Sequence, residues 1–160
     1  MRIGVVSDTH GKAEFFRKAL EQMGPIDMLV HAGDHYRDAV SIGKQTGLQV
    51  TAVVGNCDWD SFGGPQEEVL EIEGHRILVV HGHLHGVKSG NEELADLLRE
   101  GRYDLVIYGH SHMPEITPLP EGYLMNPGSL SNPRRGSERT YGIVEIGKNS
   151  LVPHIYDLRL

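Results

Sequence analysis

The stretch Ile3-Gly4-Val5-Val6-Ser7-Asp8-Thr9-His10 decides how the rest of the chain is read. A short apolar run without polar alternation suits a central strand covered on both faces. The run breaks at once into Ser, Asp, Thr and His, as a strand does where its carboxyl end meets a loop. The same pattern recurs four times. Met28–His31 leads into Gly33-Asp34, Val50–Val54 into Gly55-Asn56, Ile77–Val80 into His81, and Leu105–Tyr108 into Gly109-His110-Ser111-His112. In open α/β sheets, ligands bind beyond the carboxyl ends of the strands. Five strand ends are therefore expected to deliver two carboxylates, one amide and four imidazoles to one rim.

Helical patterns separate the first strands. Ala13–Met23 sets Phe16, Leu20 and Met23 on one face and stops at Gly24-Pro25. A second helix is expected over Tyr36–Thr46 and a third over Asn91–Arg99, with Leu94, Leu97 and Leu98 inward. Val69–Glu73 and Arg76–Val80 flank Gly74-His75, a hairpin signal. Tyr123–Asn126, Thr140–Ile146 and Leu151–Tyr156 read as further strands of an antiparallel tail. This order of elements predicts an α/β fold of mixed β-sheets packed as a sandwich with flanking helices. At this length, residues 1–160 are expected to form a single domain.

Charge and composition exclude several functions. The net charge of −7 and the absence of any Lys/Arg-rich run exclude extended nucleic-acid binding, which needs a basic face to displace counterions. A small anionic substrate remains compatible, because bound cations invert the local field of an acidic protein. Cys57 is the lone cysteine, so no intramolecular disulfide is expected. The N-terminal apolar run is too short for a signal peptide or a membrane span, and a cytoplasmic protein with no membrane partner is expected.

Taken singly, the polar motifs have ordinary explanations. Asp8-Thr9-His10 reads equally as a helix N-cap beside a surface histidine, and Gly33-Asp34 and Gly55-Asn56 as turns. Their succession at consecutive strand ends is what points to a metal centre. An oxygen and nitrogen donor set without thiolates suits Mn, Fe, Zn, Ni or Co, and argues against a structural zinc knot.

The ordered set Asp8-Thr9-His10, Gly33-Asp34, Gly55-Asn56-Cys57-Asp58, His81-Gly82-His83 and Gly109-His110-Ser111-His112 resembles the calcineurin-like metallophosphoesterase superfamily. The later Asn126-Pro127-Gly128-Ser129 is similar to a motif of its small stand-alone phosphodiesterase branch, bacterial and archaeal. The resemblance implies a sandwich of two mixed sheets and a phosphoric ester hydrolase carrying two divalent ions. Mn²⁺ is the expected metal, with Zn, Fe, Ni or Co as alternatives. Asp8, His10 and His112 would hold one ion; Asn56, His81 and His110 would hold the other, with Asp34 bridging through two oxygens. A hydroxide shared by ions roughly 3.5–4 Å apart would attack a small or exposed phosphodiester.

One position departs from the family pattern. Where many relatives carry a histidine that assists the leaving group, this chain has Cys57, which reads equally as a small buried space-filler. The acidic partner of that histidine is replaced by Arg37. A thiol suits that role poorly, so proton donation would be weak at Cys57 or fall to another group such as His83, and substrates with good leaving groups would be favoured. Asn56, Asn126, Ser129 and Arg135 are candidate substrate contacts, with Arg134 beside them. Trp59 and Phe62 offer an apolar lip, and His31 reads as a buried supporting histidine. The rival activities are phosphomonoester and nucleotide pyrophosphate hydrolysis. The rival class is a non-catalytic scaffold, since a relative in the retromer coat keeps the fold in that role. Self-association is a further expectation from the resemblance.

Overall fold

In the computed structural model, which describes residues 1–60 and 63–160, four of the five apolar runs form inner strands of two five-stranded sheets. The elements in chain order are β1 (Arg2–Val6), α1 (Ala13–Met23), β2 (Met28–His31), α2 (Tyr36–Thr46), β3 (Gln49–Ala52), β4 (Glu67–Ile72), β5 (His75–Val80), α3 (Glu92–Arg99), β6 (Leu105–Ile107), β7 (Pro114–Leu119), β8 (Gly122–Pro127), β9 (Thr140–Gly147) and β10 (Ser150–Asp157). One sheet has the order β10-β9-β1-β2-β3, the other β4-β5-β6-β8-β7. Both are mixed. In the first, β1, β2 and β3 run parallel while β9 is antiparallel to both β1 and β10. In the second, β5, β6 and β8 run parallel between antiparallel edge strands.

Strand alternation builds the layers. Ile3, Val5, Met28 and Val30 from one sheet meet Ile77, Val79, Leu105, Ile107 and Met125 from the other in a core between the sheets. The alternate residues point outward. Val6 and Leu29 pack under Phe16, Ala19 and Met23 of α1 and Ile42 of α2. Leu78, Val80, Val106 and Leu124 pack under Leu94, Ala95 and Leu98 of α3. At roughly 25 cal/mol per Å² of apolar surface removed from water, these double-sided strands are the main favourable term in the fold.

Four sequence expectations are corrected. The Val50–Val54 run is no central strand: β3 ends its sheet and is only partly buried. β7 was absent from the pattern because Pro114 and Pro118 interrupt it, and its edge position is where a strand tolerates proline. The tail is not wholly antiparallel, since β8 lies parallel to β6. The β4–β5 turn is Glu73-Gly74, both with positive φ as a tight hairpin requires, and His75 already opens β5. Among the described residues, no helix is long and apolar enough to cross a membrane.

Candidate metal centre

The parallel strands of both sheets discharge their loops onto one rim, and those loops share an unusual backbone. The described non-glycine residues with φ in the left-handed region include Asp8, His10, Asp34, His35, His110 and His112; the others are Glu73 and Arg135. L-residues enter this region at a cost, and such positions cluster where function requires them. Two glycines make the close approach feasible. A Cβ on Gly55 would overlap Asp34 Oδ1, and one on Gly109 would overlap Ser7 Oγ and stand 2.7 Å from Asp8 Oδ2.

Two donor groups result, and Asp34 belongs to both. Asp8, His10, Asp34 and His112 bring one ligand atom each within 4.8 Å of one another, and Asp34, His81 and His110 do the same. Asn56 joins the second group, with its Oδ1 3.1 Å from His81 Nε2. Asp34 Oδ1 accepts the Cys57 N–H at 2.9 Å. Its Oδ2 faces His81 Nε2 at 3.3 Å and His10 Nε2 at 3.7 Å. Oδ2 therefore faces both groups, while Oδ1 also accepts a backbone N–H.

Hydrogen bonds to the far side of two rings fix which nitrogen faces inward. His81 Nδ1 donates to Ala32 O at 2.7 Å, and His112 Nδ1 donates to Asn132 O at 2.7 Å. Each neutral ring then presents its Nε2 lone pair to the centre. With the ring neutral, His112 Nε2 and Asp8 Oδ1, 3.0 Å apart, are both acceptors. Two acceptors at that distance need positive charge on or between them. Asp8 Oδ1 and His10 Nε2 are buried without a hydrogen-bond partner. This donor set, with oxygen and imidazole nitrogen atoms left open toward each other, fits divalent transition ions.

The electrostatics match. Burial works against the charge on Asp8, but where a proton takes the place of a cation on the facing Nε2 atoms, the hydrogen bond and charge of His112 and the charge of His81, together with the Ser7 hydroxyl, outweigh it and hold the carboxyl below its ordinary range. Asp34 is lowered likewise, with burial overcome by His81 and the Cys57 N–H. Burial also disfavours a proton on His81, yet Asp34 and Asp8 raise its pKa. His110 is pushed down to about 4 by burial and by the charges of His81 and Lys88, so its ring is neutral at pH 7.

Residues around the donors hold them in place; of these, Ser7 and Ser131 read in the sequence as ordinary loop residues, while Asp58 and Ser129 stand in the quoted motifs. Ser7 Oγ donates to Asp8 Oδ2 at 2.6 Å, beside the His110 N–H at 3.1 Å. Asp58 accepts from the backbone N–H groups of Asp34, His35, Tyr36 and Gly55. Ser129 and Ser131 hydroxyls both donate to Asp8 O at 2.8 Å. Ser7→Ala is expected to weaken metal affinity by roughly 10–100-fold, the usual effect of losing a group that orients a ligand. Metal titration of the variant checks this.

The other predicted residues fall out as follows. Asn126 and Ser129 are fully buried and have no surface for a substrate; Asn126 instead donates to Gly109 O and Ser111 Oγ, bracing the histidine loop. Cys57 is exposed on the cleft wall rather than a buried filler. Its thiol is pushed up to about 11 by partial burial and the Asp34 charge, so it stays an S–H. The His83 ring packs beside His81 and His110, 5.4 and 6.2 Å between centroids, and partial burial and the charge of His81 lower its pKa. Arg135 does not line the cleft; Lys12, Lys88 and Arg134 do. Trp59 is 83% exposed, and Phe62 lies outside the described residues. His31 is fully buried, bonded to Thr9 Oγ1 at 2.9 Å. Arg37 pairs with Asp60, while Asp38, one residue later, bonds His35 Nδ1 at 2.8 Å.

Comparison with known proteins agrees with this geometry. Residues 1–149 match the model of the calcineurin-like phosphoesterase superfamily domain. The chain is 32% identical over 160 residues to the probable metallophosphoesterase YsnB of Bacillus subtilis, covering 98% of this chain and 91% of that protein. It is 31% identical over 170 residues to the phosphodiesterase YfcE of Escherichia coli K12, covering 91% and 88%. A crystal structure of a predicted phosphoesterase from Streptococcus pneumoniae superposes with a TM-score of 0.81 at 28% identity, covering 98% of this chain and 88% of that one.

Proposed function

The chain belongs to the calcineurin-like phosphoesterase superfamily, and on that premise we propose that it is a phosphodiesterase dependent on two divalent ions, preferentially Mn²⁺, acting on small or exposed phosphodiesters. The observation that carries this reading is Asp34, which belongs to both donor groups and turns its Oδ2 toward His10 of one and His81 of the other. When bound, a pair of divalent ions supplies Lewis acidity toward phosphoryl oxygens and a hydroxide near neutral pH.

The chain's own residues do the rest. Asp8, His10 and His112 form one donor set and Asn56, His81 and His110 the other, with Asp34 common to both. The ring protons of His81 and His112 point away from the reacting centre, held by Ala32 O and Asn132 O. The cleft holds about 370 Å³, and the cations Lys12, Lys88 and Arg134 on its wall draw an anion toward the donor cluster. Proton donation is the weak point. Cys57 holds its proton too tightly to release it readily, and partial burial and the charge of His81 make His83 a weaker base than a free imidazole. Esters with good leaving groups are the substrates this cleft suits.

The three cations of the wall favour a second reading, hydrolysis of a phosphomonoester or a nucleotide pyrophosphate bond, because a dianion gains more from them. Turnover of aryl phosphate diesters and monoesters by Mn²⁺-reconstituted protein separates the two. The diester is expected to lead by about tenfold in kcat/KM, about 1.4 kcal/mol of transition-state preference. Chelation should abolish both activities and Mn²⁺ should restore them. A lead for the monoester would favour the second reading. Failure to bind close to two transition ions per chain after reconstitution would sink the enzyme and leave a scaffold.

A further inference from the structure

The cleft is not the only cavity at the donor cluster. A second one of about 440 Å³ adjoins it, and Lys88 and Arg134 line both. The loop after β6 divides them: His110 and His112 line the cleft, and Ser111 between them lines the second cavity. Arg135 belongs to the second cavity alone.

Charge in this cavity runs against the molecule as a whole. The chain carries −7, yet Lys88, Arg134 and Arg135 gather here with Glu115 as the sole carboxylate on the wall. Among the described residues none of the three cations, all exposed, has a carboxylate within ion-pair distance, so their charge faces the cavity and the solvent unneutralised. Glu115 is held by neutral donors: Tyr108 Oη–H at 2.8 Å on one oxygen, and Thr117 Oγ1 at 3.2 Å and Asn91 Nδ2 at 3.3 Å on the other. Three cations lining one cavity give it a positive field, which an anion seated there offsets. Guanidinium groups and an ammonium together suit a phosphoryl group in particular.

We propose that the second cavity is an anion subsite that takes a phosphoryl group of the substrate other than the one cleaved. The preferred substrate class is a small phosphodiester bearing a second phosphate, with Lys88 and Arg134 forming a continuous cationic wall between the two. This rests on the phosphodiesterase reading of the adjacent centre. Three cations match one extra phosphate group; they are too few to track a polymer.

Binding decides the subsite. With Mn²⁺-reconstituted full-length protein, calorimetry is expected to show thymidine 3′,5′-bisphosphate binding about tenfold more tightly than thymidine 5′-phosphate. The difference should fall to about twofold or less in Lys88→Gln/Arg135→Asn, where Asn tolerates the left-handed φ of position 135. Kinetics extend the test. The p-nitrophenyl ester of thymidine 5′-phosphate should gain about tenfold in kcat/KM when it carries a 3′-phosphate. Equal binding of the two nucleotides, equal kcat/KM for the two esters, or a preference that survives in the double variant would overturn the inference. If the binding preference appears and is lost in the variant while neither ester is hydrolysed, the phosphodiesterase reading fails and the anion subsite stands.

Discussion

Asp34→Asn is expected to reduce kcat/KM on an aryl phosphodiester by roughly a thousandfold or more, about 4 kcal/mol of transition-state stabilisation. The carboxylate has two distinct duties. Its Oδ1 receives the Cys57 N–H at 2.9 Å, and its Oδ2 faces His81 Nε2 and His10 Nε2 from the two donor groups. An amide can satisfy one of these directions only by failing the other. With its oxygen on the Cys57 N–H, it turns an NH₂ toward the centre, where a cation should sit. With its oxygen inward, it sets two donors against each other at Cys57. Either way the negative charge is gone. Metal content should fall from about two ions per chain to one or fewer, while circular dichroism stays that of a folded protein. A variant that keeps both ions and most of its activity would refute the shared role of Asp34.

Asp58→Ala is the substitution expected to cost most in stability. The Asp58 carboxylate accepts four backbone N–H groups: Asp34 at 3.1 Å, His35 at 3.0 Å, Tyr36 at 2.8 Å and Gly55 at 2.7 Å. Two of these open α2, whose own N-cap residue, His35, makes no side-chain cap bond. Charge-assisted bonds of this kind contribute about 1.5–3 kcal/mol each in isolation, and four sharing one carboxylate do not add. A loss of about 3 kcal/mol is the expected net effect, seen as a fall of about 6–12 °C in Tm. Asp58→Asn, which keeps one acceptor oxygen, should lose about half as much. A Tm within about 2 °C of the parent in Asp58→Ala would show that water replaces the carboxylate without penalty.

The contrast between Asp34 and Asp58 shows what was legible in the sequence. Asp34 stands at the end of an apolar run, so strand patterning alone set it on the rim with His10, His81 and His112. Asp58 lies in the same quoted motif as Asn56, yet its bonds reach the loop after β2 and the start of α2, more than twenty residues away. No local pattern reports such a partner. The same is true of Ser7, whose bond to Asp8 depends on a χ1 angle, and of Lys88, which arrives at the cleft from a loop without apolar periodicity. Among the elements, α1 and α2 matched their expected bounds because Gly24 and Gly47 end them. β7 leaves no strand pattern in the sequence because its prolines are tolerated only at an edge, and edge position is a property of the assembled sheet.

The left-handed backbone of the six loop residues limits how this protein can drift. Each such position costs on the order of 1 kcal/mol or more, so six of them weigh against a typical folding stability of about 5–15 kcal/mol. Glycine or asparagine would relax most of that burden, and elsewhere in a protein such exchanges are easy routes to a higher melting point. At Asp8, His10, Asp34, His110 and His112 that route is closed, because the side chain that strains the backbone is also the donor. A lineage released from the chemistry would keep the sandwich, shed these residues first, and become more thermostable as it lost its activity.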